Sequence, residues 1–223
     1  MASPHFTRAL FVFLRDLEAH NDRDWFQANR DRYEAHYRQP ALRFIADFGP
    51  HVRAVSPSLV CDPRPTGGSL FRIHRDVRFS RDKRPYKTHC AMQFRHEAGK
   101  DAHAPGLYLH LEPGACFAAA GTWRPPTPQL RTIREAIAAD PDGWRDAVPD
   151  HLERFGEQLK RVPAGYAKDH PAADELRWKD LGAMKRLSQQ DVLATDAMDR
   201  IGAAFLEMRP MLGFLCRALG QPF

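Results

Sequence analysis

The sequence predicts an α+β fold, with a central antiparallel sheet flanked by N-terminal and C-terminal helices. Three observations predict it: apolar residues recur every three or four positions before residue 56, alternate with a period of two across the middle, and return to helical spacing near the C-terminus. At 223 residues, 43% of them hydrophobic and 27% charged, the chain is long enough to bury a substantial core, and it shows no internal repeat or linker. One domain spanning 1–223 is expected.

Phe6, Leu10, Phe13, Leu14 and Leu17 define the buried stripe of a first helix. Asn21 suits the cap of a second, with Asp22 and Asp24 supplying acids for its N-terminus and Trp25, Phe26, Asn29, Tyr33 and Tyr37 along its faces. Pro40 opens a third helical stretch carrying Leu42, Phe44, Ile45, Phe48, Val52 and Val55, which Pro50 should kink or split. Pro57, Pro63, Pro65, Gly67 and Gly68 mark a loop. Strands are then expected over 69–79, 90–96, 106–111 and 115–122, the last two joined by a short hairpin link, giving a meander. Pro125, Pro126 and Pro128 end the sheet. Leu130, Ile133 and Ile137 read as a helix, 144–159 as another, and 196–219 as a long one packed on the sheet and kinked at Pro210.

The apolar run at residues 9–14 is too short for a signal peptide or a membrane span, and the four cysteines, Cys61, Cys90, Cys116 and Cys216, form no C-x-x-C pair. A cytoplasmic protein with no membrane partner is expected. There is no Walker A sequence, G-x-G-x-x-G or G-x-S-x-G, and His96-Glu97 lacks the second histidine of H-E-x-x-H. With no zinc-finger spacing among the histidines and cysteines, no metal site is expected, and the sequence names no cofactor.

The net charge is +5, and its distribution is uneven. Between residues 72 and 87 lie seven basic residues, Arg72, Arg75, Arg78, Arg81, Lys83, Arg84 and Lys87, against Asp76 and Asp82, so this segment holds the whole excess. Such a field favours anionic partners. On a strand, Phe71, Ile73, Arg75, Val77 and Phe79 share one face, and Leu70, Arg72, His74, Asp76 and Arg78 the other. Arg75 in an apolar row needs a partner, since breaking a buried ion pair costs roughly 3–5 kcal/mol. Asp82 is a local candidate; the alternative is a bound phosphate or carboxylate, which the planar guanidinium fork suits. The following loop adds Lys83, Tyr86, Lys87 and His89. The candidate ligand-binding set is Arg72, Arg75, Asp76, Arg78, Lys83, Tyr86 and Lys87. Separately, Tyr108, His110 and Glu112 fall on one strand face, able to line a cleft beside the basic segment, and Trp123 sits at the sheet end, as a cap on the core or a wall.

The pattern Arg72-x-x-Arg75-Asp76-x-Arg78-Phe79-x-x-x-Lys83-x-Pro85-Tyr86 resembles the signature of a mostly bacterial family classed as domain of unknown function 2461, and residues 21–26 (N-D-R-D-W-F) and 163–166 (P-A-G-Y) are similar to that family as well. The resemblance covers nearly the whole chain and implies no reaction, substrate or cofactor. The functional expectation is a binding or regulatory protein for an anionic, phosphate- or carboxylate-bearing small molecule. The alternatives are an enzyme acting on such a molecule, with Lys83, Tyr86 or His89 moving the proton, and a nucleic-acid-binding protein that stacks Tyr86 or Trp123 on a base.

Overall fold

The computed structural model of the chain describes residues 5–99 and 104–223. Helix α1 (Arg8–Ala19) is capped by the Thr7 hydroxyl and buries Leu10, Phe11, Phe13, Leu14 and Leu17. Helix α2 (Arg23–Ala28) is capped by Asp22, whose carboxylate accepts from the Trp25 N–H at 2.8 Å. The cap is thus one residue later than expected, and Asn21 is used elsewhere. From α3 (Arg30–Tyr33) the chain runs through a π-turn (Glu34–Arg38) into α4 (Gln39–Asp47) without a break. Pro40 therefore lies inside a continuous helix instead of opening one. The widened turn immediately before it relieves the clash and the missing donor that a proline brings to a helix interior. Helix α5 (Gly49–Val55) begins beyond Phe48 with Pro50 in its first turn, as the sequence implies.

Among the described residues six strands follow, interleaved with helices: β1 (Leu59–Val60), β2 (Cys90–His96), β3 (Gly106–Leu111), β4 (Cys116–Thr122), α6 (Thr127–Ala139), α7 (Pro141–Ala147), β5 (Glu153–Arg154), α8 (Ala173–Leu176), β6 (Leu181–Leu187), α9 (Gln189–Leu193), α10 (Ala197–Glu207) and α11 (Arg209–Ala218). They form one antiparallel sheet in the order β1-β2-β3-β4-β6-β5, which makes the fold α+β. Strands β2, β3 and β4 match the expected meander.

Three expectations are corrected. Residues 69–79 are extended but are not a strand: they touch the sheet through the Leu70–Met92 bridge and then pair with the chain's own return through His74–Tyr86. Residues 144–159 are not one helix, because α7 stops at Ala147 before Pro149 and the chain then adds the edge strand β5. The C-terminal stretch is two helices divided at Met208, with Pro210 in the first turn of α11, where its missing N–H costs nothing. Among the described residues no helix is long and apolar enough to cross a membrane.

Strand register sorts the side chains. Cys90 and Leu111, Met92 with Leu109 and Ala118, and Phe94 with Leu107 and Ala120 face the helices, where Phe94 meets Phe48 and Phe205 at ring distances of 5.5 and 6.2 Å. The opposite face carries three rows: Ala91–His110–Phe117, Gln93–Tyr108–Ala119–Met184, and Gly106–Gly121–Gly182. This is the usual division of an antiparallel sheet with one face on the core. The second face holds the site.

A cleft on the open face of the sheet

The open face carries a cavity of about 650 Å³ whose walls include Phe71, Tyr108, Phe117, Trp123, Phe155 and Met184. Its floor is low because the row Gly106–Gly121–Gly182 has no side chains. At Gly182 a Cβ would collide with the ring of Phe155, and Gly121 has φ +135°, a conformation that L side chains rarely adopt. Trp123, 50% exposed, stands at the rim with its ring 6.1 Å from that of Phe155. It is a wall of the cleft and not a cap on the core.

A hydrogen-bonded row adjoins these apolar walls. The Tyr108 hydroxyl lies 2.9 Å from His110 Nδ1, and His110 Nε2 lies 3.1 Å from a Glu112 carboxylate oxygen. The other oxygen of Glu112 accepts from the Thr88 hydroxyl at 3.0 Å. Phe117 stacks on the His110 ring at 4.6 Å and 11°, and the His89 ring, just before β2, approaches His110 at 4.3 Å. Burial lowers the His110 pKa, against the pull of Glu112, and raises that of Tyr108. Burial, the neighbouring His110 ring and the Lys87 charge take His89 down to about 4, with Glu112 opposing. Both imidazoles are therefore neutral at physiological pH. Sequence parity identifies Tyr108, His110 and Glu112 as one face, but nothing in the sequence places His89 or Thr88 beside them.

The expected ligand-binding residues separate into three places. Residues 73–87 form an arm closed by the Arg75 N–H donating to Pro85 O and the Lys87 N–H donating to Ile73 O, both at 2.8 Å. At its tip Asp76 pairs with Arg78, Lys83 Nζ donates to the Val77 carbonyl, and Phe79 is 95% exposed. On its outer side Arg75 and Tyr86 line a second cavity, of about 510 Å³, against Arg23, Asp24 and Gln27 of α2. Arg75 is partnered within the protein, by Asp82 at 2.7 Å and the Arg84 carbonyl at 3.2 Å, and Asp82 is shared with Arg84. These arginines hold Asp82 far below the usual carboxylate range. Only Lys87 adjoins the sheet cleft: its ammonium lies 5.2 Å from the centre of the Phe71 ring and donates to the Arg72 carbonyl. Burial, and then the Arg72 charge, lower its pKa.

Two anchors set the height of the Lys87–Thr88–His89 run. Asn21 clamps the backbone of Tyr86, its amide donating to the Tyr86 carbonyl and its oxygen accepting the Tyr86 N–H, both at 3.0 Å. The fully buried Tyr37 donates its hydroxyl to the His89 carbonyl at 3.1 Å. Tyr86 itself, 6% exposed, stacks on Phe26 at 4.1 Å, so residues 21–26 and the Pro85-Tyr86 end of the basic segment, 59 or more positions apart, form one joint. A further cavity of about 400 Å³, between α7 and α8, contains Arg154, which is paired with Glu175 at 2.6 Å and packed between Trp144 and Trp178. The Arg154 Nε and Nη1 are hydrogen-bonded within the protein, while the buried Nη2 has no hydrogen-bond partner among the described residues.

Comparison with curated proteins and with solved structures finds no match to this chain. A family profile described as a conserved hypothetical protein matches residues 9–214, which takes in the sheet, the arm and nearly all of the helices, so the chain belongs to the family DUF2461.

Proposed function

We propose that this protein binds a small molecule with an apolar or aromatic body and an anionic phosphate or carboxylate group in the cleft on the open sheet face. The observation that carries this reading is the union in one cavity of apolar walls with the Tyr108–His110 end of a buried polar row. Ligand sites commonly have this composition, mostly apolar with a few polar groups that fix orientation. Lys87 supplies positive charge beside Phe71. The tip cations are less suited, because Arg78 and Lys83 already have partners. Tyr86 is too buried to stack on a nucleic-acid base, which leaves the exposed Trp123 as the stacking residue of the nucleic-acid reading.

Enzymatic turnover is supported by one observation, the contact of His89 with His110 and its hydrogen-bonded neighbours. The other two expected proton carriers are occupied, Lys83 by a carbonyl and Tyr86 by the stack on Phe26.

The test is a thermal-shift and tryptophan-fluorescence titration with phenyl phosphate, benzoate and inorganic phosphate. A ligand at 100 times its Kd adds about 2.7 kcal/mol and raises Tm by roughly 5–10 °C in a protein of this size. The aromatic anions should shift Tm and quench fluorescence in the wild type but not quench it in Trp123→Phe, and Ala119→Phe, which fills the cleft, should abolish both effects. Equal responses in wild type and Ala119→Phe would remove the cleft from the proposal.

A further inference from the structure

We propose that His89, His110 and Glu112 form a mononuclear site for a divalent transition-metal ion at the polar end of the cleft. The three residues come from two segments more than twenty positions apart, and one ligand atom from each lies within 4.8 Å of the others. The closest pair, His110 Nε2 and a Glu112 oxygen, is 3.1 Å apart. Bonds of roughly 2.0–2.2 Å at tetrahedral angles set ligand atoms about 3.3–3.6 Å apart, so the side chains must close in by up to about an ångström around the ion.

The donor set selects the metal class. Two imidazole nitrogens and one carboxylate oxygen suit zinc, ferrous, cobalt or nickel ions and disfavour magnesium and calcium, which take all-oxygen shells. Thiolates are not involved, because Cys90 and Cys116 lie on the helix-packed face.

Each ligand has a residue that orients it. Thr88 donates to the Glu112 oxygen not used for the metal. With the ion on His110 Nε2, the proton moves to Nδ1, and the same 2.9 Å contact becomes a donation from Nδ1–H to the Tyr108 oxygen. Tyr37 holds the His89 backbone. Three protein ligands leave at least one coordination position, on a site whose His110 is a wall of the cleft, as in metal sites that take an exchangeable ligand. Lys87 opposes a second positive charge here, so affinity must come from the ligand bonds and not from the surrounding field. The inference does not depend on the organic ligand, since metal loading is measured without one.

The full chain, stripped with EDTA, is titrated with Co²⁺ while the visible d–d absorption is followed, and with Zn²⁺ in competition against a chromophoric chelator. One equivalent should bind with Kd in the micromolar range or tighter. His89→Ala and Glu112→Gln should each weaken binding by about 100-fold or more, and Thr88→Val by about 10-fold. His74→Ala, on the arm, should leave it unchanged. Both His89 and Glu112 are partly exposed, so their variants should keep the wild-type circular dichroism even if His110→Ala unfolds. The inference is overturned if no 1:1 complex forms below about 100 μM metal, or if His89→Ala binds as the wild type does.

Discussion

Replacing Asn21 by alanine should loosen the arm and lift the Lys87–His89 run from its seat. The side chain makes two hydrogen bonds of 3.0 Å to the backbone of Tyr86, and that residue is 6% exposed. Each such bond contributes about 0.5–1.5 kcal/mol net, and a freed backbone group that water reaches poorly adds to the loss. The combined cost is about 2–3 kcal/mol, concentrated on the arm. That energy corresponds to a roughly 30- to 150-fold rise in the opening constant of the segment closed by the Arg75 and Lys87 amides. Hydrogen exchange read residue by residue is the assay. The Arg75 and Lys87 amides should exchange faster by that factor, while the Leu109 amide, in the centre of the sheet, should change far less. Asn21→Asp should fall between wild type and alanine, since it keeps the acceptor for the Tyr86 N–H but sets a carboxylate against the carbonyl. Unchanged exchange at Arg75 and Lys87 in Asn21→Ala would refute the clamp.

Other outcomes follow from the same geometry. Tyr37→Phe should cost about 1–2 kcal/mol, a Tm fall of roughly 2–8 °C by calorimetry, because it leaves the part-buried His89 carbonyl without this donor. Gly121→Ala should destabilise by more than about 2 kcal/mol in urea unfolding, since φ is +135° and the new Cβ would meet the β6 backbone. Asp191 is held below its usual 3.8 first by the Ser188 hydroxyl and then by the Ser188 N–H and Arg200. A depressed folded-state pKa means that its contribution is complete above the ordinary value and disappears as pH falls through the depressed one. Asp191→Asn should therefore lose about 1 kcal/mol at pH 7, the worth of a helix cap, and the gap to wild type should close only as pH falls below the ordinary 3.8 and through the depressed value.

The three central strands were legible because they alternate between a packed face and an open one, and the same parity placed Tyr108, His110 and Glu112 together. Residues 69–79 show how that signal misleads. Ile73 is buried while Arg72, His74, Asp76 and Arg78 are exposed, so the alternation is real, but it reports which side meets solvent and not which chain supplies the hydrogen bonds. Strand β6 escaped the reading for the opposite reason. Its helix-side position Lys185 turns its charge to Glu207, and its cleft side begins with Gly182, so no apolar alternation remains. Asn21 beside two aspartates reads as a cap, and its actual partner lies 65 residues away. His89 has the same character: its partners on β3 are set by tertiary structure, and no spacing rule joins them. The basic segment, conspicuous by charge, satisfies much of its own charge with Asp76 and Asp82, and reaches the cleft through Lys87.

The central claim is that the open sheet face, and not the charged arm, receives the ligand. Its most direct test is a heteronuclear NMR titration of the labelled chain with phenyl phosphate. Binding in the cleft should move the resonances of Tyr108, Phe117, Ala119 and Trp123 together along one saturable curve. Shifts confined to Arg23, Gln27 and Arg75, around the cavity between the arm and α2, would contradict it.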